Sequence, residues 1–309
     1  KVVVSSNERE SSTLEGLANN GKINGLEGLK FLTPEELRKR EPNAYAHKAL
    51  LVPEEGIVDF KEVMQRFYEM IMENNGKFYF NHKVECVIES QDNIILKTGN
   101  GKEFPLDMVV NCAGLYTDKI YTAFTGKNCP IKIVPFRGEY MQLKEAYSDI
   151  FHHLIYPVPD IQYPFLGVHF TRMVDSTKEI GPNAVFATMR EGYNVTDFSL
   201  AETMDSLMYK GFLRFVKNNL LFASNEFLSS LSRKSFVAKA KKLIPDVEDY
   251  MIEKGNAGVR AQAMSEEGQL LMDFNILREG RQIHVLNAPS PGATSSLSIA
   301  DYIVERYIE

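Results

Sequence analysis

The sequence of 309 residues has little of what marks secreted or membrane-spanning proteins. It contains only three cysteines and no CxxC pair, which excludes a disulfide framework and a cysteine-rich zinc site. No apolar run approaches the roughly 18 residues that can cross a membrane. These absences predict a protein of a reducing, cytoplasmic compartment. The hydrophobic content of 44% is enough for a substantial core, in one large domain or in two.

The sequence also lacks an excess of positive charge: 41 Asp and Glu residues outnumber 35 Lys and Arg residues, and the formal net charge is -6. This balance argues against nucleic acid as a partner, so an acidic ligand would need positive charge concentrated locally. The common nucleotide, hydrolase and zinc-protease motifs are absent, and the glycine cluster Gly21–Gly28 follows no strand. The six histidines lack metal-ligand spacing, so no metal site is expected, and the pair His152-His153 indicates ordinary surface or core polarity.

Local patterns in the first part of the chain predict mixed α/β (α+β) structure. Residues Lys1–Ser6 read KVVVSS and predict a strand, whose β-branched residues need a neighbouring strand. A polar segment follows, and a helix is then predicted from Pro34 because Thr33 and Glu36 have capping-box spacing. After Asp59 an amphipathic helix is predicted to turn one apolar face to the core, formed by Phe60, Val63, Met64, Phe67, Met70 and Ile71.

The period then changes to that of strands. They are predicted at Lys77–Asn81, Lys83–Glu89, Asn93–Thr98, Lys102–Phe104 and Met108–Cys112. The last of these is a continuous apolar run, typical of a parallel strand buried on both faces, and it stops at Ala113 and Gly114. Ligands of open α/β sheets bind beyond such strand ends, although Gly114 could equally make a plain tight turn.

The remaining chain returns to strands on either side of a helical region. Strands are predicted at Ile131–Leu143, Leu154–Pro157, Phe165–Met173, Tyr250–Glu253, Gly258–Ala263, Leu271–Leu277 and Arg281–Asn287, and helices between Thr203 and Leu243. This order predicts one discontinuous domain of residues 1–130 and 246–309. Residues 131–245 would form a second domain that covers its ligand edge, where small molecules commonly bind.

Two features of the sequence suggest a site for an anion. The cations Arg137, His169, Arg172 and Arg260 lie on predicted strands, where a partly buried arginine needs an acidic partner. Protein carboxylates could serve, but the group fits an organic acid. The stretch His284–Ala300 reads HVLNAPSPGATSSLSIA, a strand leading through a turn to a helix start. Its backbone N–H groups could hold an anion or a polar cofactor edge, or the turn could be an ordinary capped connection.

Seven segments, in order along the chain, resemble those of FAD-dependent L-2-hydroxyglutarate oxidases and dehydrogenases, in the D-amino-acid-oxidase-like flavoprotein superfamily. They are PFRGEY (135–140), LIYPVPD (154–160), FLGVHFTR (165–172), GPNAV (181–185), REGY (190–193), AGVRAQA (257–263) and APSPGATSSL (288–297). The resemblance covers essentially the whole chain. It implies an FAD-dependent oxidoreductase-like fold with a substrate domain of antiparallel sheet and helices.

The resemblance also implies which residues contact FAD. Val84 resembles the adenine-side backbone contact of the superfamily, and Ala113 and Gly114 resemble the small turn that lets FAD lie close to the chain. A C-terminal loop resembles the one whose N–H groups face the pyrimidine end of the flavin and stabilise negative charge there. That loop comprises Ser290, Pro291, Gly292, Ala293, Thr294 and Ser295.

The implied reaction is oxidation of L-2-hydroxyglutarate to 2-oxoglutarate, with hydride transfer to flavin N5. Arg260 is the first choice for the substrate carboxylate, Arg137, Arg172 and Tyr140 are secondary, and His169 is the candidate base. Alternatives are an amino-acid or glycerol-3-phosphate oxidising member of the superfamily, or an inactive fragment that binds organic acids. Electrons would pass to oxygen or a quinone, with peripheral membrane contact left open.

One departure from the family pattern carries its own expectation. Family members begin with a strand, a GxGxxG turn and a helix that hold the ADP half of FAD, followed by a segment with a flavin-side histidine. By resemblance these elements precede Lys1, and that histidine competes with His169 for the role of base. The fold is therefore expected without its first βαβ unit, and this chain by itself is expected to bind FAD weakly or not at all.

Overall fold

The computed structural model describes residues 1–90, 93–159, 167–219 and 233–308. Within them the helices are α1 (Glu8–Ile23), α2 (Pro34–Arg40), α3 (Phe60–Glu73), α4 (Thr117–Thr125), α5 (Leu200–Leu207), α6 (Lys210–Asn218), α7 (Arg233–Ala240) and α8 (Ser296–Ile303). Short 3₁₀ turns and a π-helical turn at Val304–Ile308 complete the helical structure there. No helix among these residues is both long enough and apolar enough to span a bilayer.

Fifteen strands run through the same residues. They are β1 (Val2–Ser5), β2 (Lys30–Leu32), β3 (Lys48–Leu51), β4 (Val84–Glu89), β5 (Ile94–Thr98), β6 (Glu103–Leu106), β7 (Val109–Asn111), β8 (Lys132–Leu143), β9 (Ile155–Pro157), β10 (His169–Arg172), β11 (Lys178–Gly181), β12 (Val185–Phe186), β13 (Ile252–Met264), β14 (Asn275–Glu279) and β15 (Gln282–Asn287). The mixed α/β class is confirmed.

Local side-chain bonds explain where two of the helices begin. Thr33 Oγ1 accepts from Glu36 N at 3.2 Å while the Glu36 carboxylate accepts from Thr33 N at 3.0 Å, so the predicted capping box starts α2. Helix α1 was not predicted, because its apolar positions are sparse among polar residues. Its signal was Asn7, whose side chain accepts from Glu10 N at 3.0 Å and caps the helix.

The chain divides into two compact units, each built from three segments. The first unit comprises Lys1–Lys77, Arg137–Val185 and Ser224–Gly258, and the second comprises Phe78–Phe136, Phe186–Ala223 and Val259–Glu309. Strands β8 and β13 each contribute residues to both units. A boundary inside a continuous strand leaves no change of pattern in the sequence, and the division at residues 131 and 246 stays a prediction.

The first unit is built on a large sheet. Its strand order is β12-β8-β11-β10-β9-β1-β3-β2, with β13 also paired to β8. Strand β1 is fully buried and pairs antiparallel with β3 and parallel with β9, which confirms the strand predicted at the start of the chain. The main apolar core of this unit includes Val2, Leu37, Phe151, Phe170, Ile180 and Ile244.

The second unit carries two three-stranded sheets. One has the order β14-β15-β7, in which β15 runs parallel to β7 and antiparallel to β14. The other has the order β4-β5-β6 and is antiparallel throughout. Helix α4 packs on the first of these sheets through Tyr121, in a cluster with Ile131, Ile133 and Leu286. This arrangement places the carboxyl ends of β7 and β15 side by side.

Three expectations for these elements were wrong. No described residue of α3 is buried, and Met64 is 64% exposed, so its apolar face does not belong to a core. The reason is that an amphipathic pattern shows which face a partner would cover, but not that a partner is there.

Val110 is 37% exposed, so β7 is not buried on both faces, and residues 77–81 form no strand. Parts of the regions predicted at 165–173 and 203–243 lie outside the described residues.

Candidate functional site

A cavity of about 280 Å³ lies within the second unit, beyond the carboxyl ends of β7 and β15. Its walls come from the turn after β7, the end of β15 and one face of α8, with one residue each from β8 and β13. The lining residues are small or apolar for the most part: Cys112, Gly114, Thr117, Ile133, Ala261, Val285, Leu286, Asn287, Ala288, Gly292, Ser296, Ile299, Ala300 and Ile303. The sequence predicted a ligand at this sheet edge, and this is the position of the cavity.

The turn after β7 is fixed by side-chain hydrogen bonds. Asn111 Oδ1 accepts from Ala113 N at 3.1 Å, and Asn111 Nδ2 donates to Thr117 O at 3.1 Å. The Thr117 hydroxyl in turn donates to Val285 O at 2.8 Å, which joins the turn to β15. Gly114 has φ +52°, a left-handed conformation that side chains disfavour, and open space surrounds the position of its missing Cβ. Glycine is therefore required here by backbone conformation.

The second turn of the cavity leads from β15 into α8. A Cβ at Gly292 would lie 2.9 Å from Ala288 O, closer than carbon and oxygen can approach, so only glycine fits this turn. The Ser295 side chain makes no capping hydrogen bond to the start of α8. The N–H groups of Ser295 and Ser296 donate to Pro291 O and Ala293 O, at 3.0 and 3.3 Å, so a polar or anionic ligand would meet the N–H groups that follow in the first turn of α8.

The cofactor residues expected from the sequence occupy different positions around this cavity. Gly114 and Gly292 line it. Ala113, Ser290, Pro291, Ala293, Thr294 and Ser295 belong to the same two turns without lining it. Val84 is half-buried on β4, packs against the cluster of Val87, Ile94 and Phe124, and does not line the cavity.

Sequence reasoning missed much of the cavity wall. Cys112, Thr117, Asn287 and Ala288 lie within three residues of the predicted turns, so their nearness to those small residues was a usable signal. Burial raises the pKa of the Cys112 thiol, which therefore stays protonated at neutral pH. The apolar face of α8 contributes Ile299 and Ile303, and helical spacing from the turn could have identified these residues.

A buried ion pair is hydrogen-bonded to two backbone segments next to the cavity. Arg190 and Asp118 are 2% and 3% exposed, and the two terminal guanidinium nitrogens, Nη1 and Nη2, donate to the carboxylate at 2.7 and 2.8 Å. Arg190 also donates to Leu115 O, next to Gly114, and Asp118 accepts from the backbone N–H of the cavity residue Ile133 at 3.1 Å. The sequence singled out Arg190 only as the first residue of the segment REGY and did not single out Asp118, because nothing in either place indicates a partner 72 positions away.

Among the predicted substrate residues, His169 and Tyr140 lie together in the first unit. The His169 ring stacks on Tyr156 at 4.1 Å between centroids, and Tyr140 approaches its edge at 6.4 Å. His169 Nδ1 is 3.2 Å from Gly167 O, which fixes the ring with Nδ1 as the donor. Burial lowers the pKa of His169 to about 4, so its imidazole is neutral at neutral pH.

The three predicted arginines have different surroundings. Arg137 is buried in the first unit and pairs with Glu139, Nη2 to Oε1 at 3.1 Å, so a protein carboxylate already contacts it. Asn183 Nδ2 donates to the other oxygen of Glu139 at 3.1 Å. Arg172 is exposed at the end of β10. Arg260 belongs to the second unit and lies on β13 beside the cavity residue Ala261. The structure thus joins His169 with Tyr140 and gives Arg137 an acidic partner.

Comparison with known proteins gives consistent matches over nearly the whole chain. An L-2-hydroxyglutarate dehydrogenase of Indibacter alkaliphilus is 41% identical over 305 residues, which cover 99% of this chain and 76% of that protein. One from Escherichia coli strain UMN026 is 37% identical over 306 residues, covering 99% of this chain and 72% of the relative. Among solved structures, the FAD-bound L-alpha-glycerophosphate oxidase of Mycoplasma pneumoniae has a TM-score of 0.74 at 19% identity, over 99% of this chain and 71% of its own.

The structural likeness supports the FAD-dependent oxidoreductase-like fold expected from the sequence. At 19% identity it is evidence for the fold alone. The family described as FAD dependent oxidoreductase matches residues 1–306. With the two close relatives, this match agrees with the family that the seven sequence segments resemble. The chain belongs to the family of FAD dependent oxidoreductases.

Proposed function

We propose that this protein oxidises L-2-hydroxyglutarate to 2-oxoglutarate, with FAD as its cofactor. The observation that carries the proposal is the identity of 36 to 41% with bacterial L-2-hydroxyglutarate dehydrogenases over 99% of the chain. Relatives of this identity over nearly the whole chain share its fold. The substrate comes from the names of these relatives, and the cavity supplies the argument for the cofactor.

The cavity of the second unit fits part of a flavin cofactor. Gly292 leaves a cradle that a Cβ would fill, and Gly114 keeps open space above its turn. The remaining wall is small or apolar, as a planar ring system requires, with Thr117, Asn287 and Ser296 as polar groups. The N–H groups at the start of α8 would face its polar edge. FAD, when bound, supplies the acceptor for the two electrons and the hydrogen that leave the substrate carbon.

The substrate is a dianion, so the protein must provide fixed positive charge. Arg260 is our first choice to bind a substrate carboxylate, because a guanidinium forms two parallel hydrogen bonds with it. Arg137, Arg172 and Tyr140 remain secondary choices. The pair of Arg137 with Glu139 supports a less direct role for Arg137, which would hold Glu139 and Asn183 in place.

We assign the role of base to His169. Its neutral imidazole can accept the hydroxyl proton through Nε2, since Nδ1 faces Gly167 O. A pKa of about 4 makes it a weak base on its own. A substrate carboxylate beside the ring would raise that pKa by stabilising the imidazolium, so the base would become effective only with substrate present.

A substrate panel on the full-length protein tests the proposal. Reduction of a dye acceptor is followed with L-2-hydroxyglutarate, D-2-hydroxyglutarate, L-lactate, glycerol 3-phosphate and glycine. The expected result is a kcat/KM for L-2-hydroxyglutarate at least ~100-fold above every other compound, a difference of ~2.7 kcal/mol in transition-state binding. Faster oxidation of glycerol 3-phosphate or an amino acid would overturn the assignment and favour another activity within the family.

The electron acceptor and the compartment also belong to the proposal. We place the protein in the cytoplasm, with electrons passing to oxygen or to a quinone. Oxygen uptake and reduction of a soluble quinone, measured side by side under saturating substrate, distinguish the two acceptors. Cell fractionation tests the location. If the protein is recovered in the membrane pellet and high salt releases it from the pellet, peripheral membrane contact is indicated.

A further inference from the structure

His284 is the most deeply buried titratable side chain near the cavity, and it does not line it. It lies on β15, is 0% exposed, and packs edge-on against the rings of Tyr121 and Phe124, at 4.9 and 6.1 Å between centroids. Its Nδ1 is 3.1 Å from Asn111 Nδ2, and its Nε2 is 3.3 Å from Gln282 Oε1. The ring therefore stands directly behind the residue that fixes the first cavity turn.

The hydrogen-bond network assigns one tautomer to His284. Asn111 Oδ1 is occupied by Ala113 N, so the Asn111 amide presents its NH₂ group both to Thr117 O and to His284. His284 Nδ1 must accept, and the ring proton must lie on Nε2. The hydrogen bond at Nε2 indicates the same tautomer. Gln282 Nε2 donates to Glu89 at 2.9 Å, so the side-chain oxygen of Gln282 faces His284 and accepts from it. All donors and acceptors match only for the neutral ring with Nε2–H.

Protonation of His284 would break this match. Both ring nitrogens would then donate, and Nδ1–H would face the NH₂ group of Asn111. If Asn111 turned its amide over, its NH₂ group would face Ala113 N–H, and the bond to Thr117 O would be lost as well. The turn of residues 113–117 would lose both side-chain bonds that fix it, and Gly114 and Thr117 of that turn line the cavity.

We infer that His284 is a positioning residue. As a neutral Nε2–H imidazole it fixes the amide of Asn111, and through Asn111 it holds the turn of residues 113–117 in the shape that binds FAD. The inference rests on FAD as the cofactor of the family and on the cavity as its site. It does not depend on which substrate the enzyme oxidises.

The charges around His284 determine how it responds to pH. Burial lowers its pKa, and the carboxylate of Glu279 on β14 acts in the opposite direction. Tyr121 on α4 donates to Glu279 at 3.1 Å, and Lys127 beyond α4 forms an ion pair with the same carboxylate at 2.6 Å. From β4, Glu89 reaches the ring only through Gln282, while β7 presents the uncharged Asn111. The surroundings therefore hold the pKa of His284 below its ordinary value, and the ring is neutral at neutral pH.

The test compares His284→Leu and His284→Asn with the wild-type full-length protein. Leucine fills the space without an acceptor, whereas asparagine can place an oxygen near the position of Nδ1 and does not titrate. FAD affinity is measured by quenching of flavin fluorescence from mildly alkaline to acidic pH, and amide exchange is followed at residues 113–117. The exposed His152→Asn serves as the matched control for loss of a histidine.

We expect His284→Leu to weaken FAD binding ~10-fold at every pH, equivalent to ~1.4 kcal/mol, and to speed exchange at residues 113–117. The wild type and His152→Asn should lose affinity as the solution becomes acidic. His284→Asn should bind within ~3-fold of the wild type at neutral pH, about 0.7 kcal/mol, and keep that affinity in acid. The inference is wrong if the FAD affinity of the wild type does not change with pH, or if His284→Asn still loses FAD affinity in acid. If His284→Leu does not fold, the pH profile of His284→Asn decides alone.

Discussion

Arg190 and Asp118 form a two-point ion pair in the interior of the second unit, with nitrogen–oxygen distances of 2.7 and 2.8 Å. Their additional bonds go to Leu115 O and Ile133 N, on two walls of the cavity. Removing one member of a buried pair leaves the other charge without compensation, and that loss exceeds what the pair contributes when intact. The pair therefore couples the stability of this unit to the shape of its cavity.

Replacing Arg190 by leucine should lower the free energy of unfolding by about 3 to 5 kcal/mol, because the Asp118 carboxylate would remain buried and unpaired. Urea unfolding followed by circular dichroism measures the change. Arg66→Ala is the matched control, since Arg66 pairs with Glu69 on an exposed helix surface at 3.1 Å and should matter far less. Equal effects of the two substitutions would contradict the structural role of the buried pair.

Replacing Gly292 by alanine should weaken FAD binding ~10-fold or more, since a Cβ 2.9 Å from Ala288 O must displace a backbone that forms the cavity wall. Flavin fluorescence titration of the full-length protein measures the affinity. Gly16→Ala is the control, because Gly16 is exposed within α1 and has nothing within 4 Å of its Cβ position. That substitution should leave FAD affinity unchanged and stabilise the helix by about 0.5 to 1 kcal/mol. An unaltered affinity in Gly292→Ala would mean that this turn does not contact FAD.

The buried neutral state of His169 should make stability depend on pH. Its pKa is about 4 in the folded chain, against an unfolded value near ~6.5, so the unfolded chain takes up the proton first as the solution becomes acidic. The contribution of neutral His169 to the free energy of unfolding is fully present above pH ~6.5 and is lost as the pH falls toward about 4. It amounts to at most about 3 kcal/mol. Urea unfolding of the wild type and of His169→Asn over this range measures it. The difference between the two curves should slope with pH, and parallel curves would contradict the low pKa.

Replacing Arg260 by alanine should raise the apparent KM for L-2-hydroxyglutarate by at least ~10-fold, the scale of losing ~1.4 kcal/mol of binding. Steady-state kinetics on the full-length enzyme measure it, and Arg260→Lys should recover part of the loss as a single-point cation. Arg278→Ala provides the control, because Arg278 is exposed in the same unit and bonds to Gly280 O and Tyr307 O. Unchanged kinetics for Arg260→Ala would remove Arg260 from the substrate site.

Features set by residues close in sequence were predictable. The capping box of α2, the hairpin turn Gly99-Asn100-Gly101 between β5 and β6 and the turn Glu279-Gly280 between β14 and β15 each follow from a few adjacent residues. The cavity position was also predictable in outline, since small residues follow two apolar strands whose parallel pairing brings their ends together. Sequence patterns of this kind report local backbone geometry, and the structure preserves it.

Features that depend on distant contacts were not predictable from the sequence. His284 and Asn111 are 173 positions apart, and neither residue type indicates the other as its partner. Glu41 is a comparable case: it is 0% exposed and accepts from His152 N at 2.9 Å and from the backbone and ring nitrogens of His153. A single charged residue at the end of a helix gives no sign of such burial, because tertiary packing alone decides it.

The exposed face of α3 has a consequence for how the protein behaves in concentrated solution. The side chains of Met64, Phe60, Met70 and Ile71 on this helix are each at least 40% exposed to water. Such surface drives molecules together, and ions such as sulfate strengthen that attraction because they are excluded from it. This helix should therefore contribute to self-association, together with other exposed apolar side chains such as Phe80 and Met208 and with the net charge of the chain. Sulfate-based precipitants will narrow the range of concentrations in which the molecule remains dispersed.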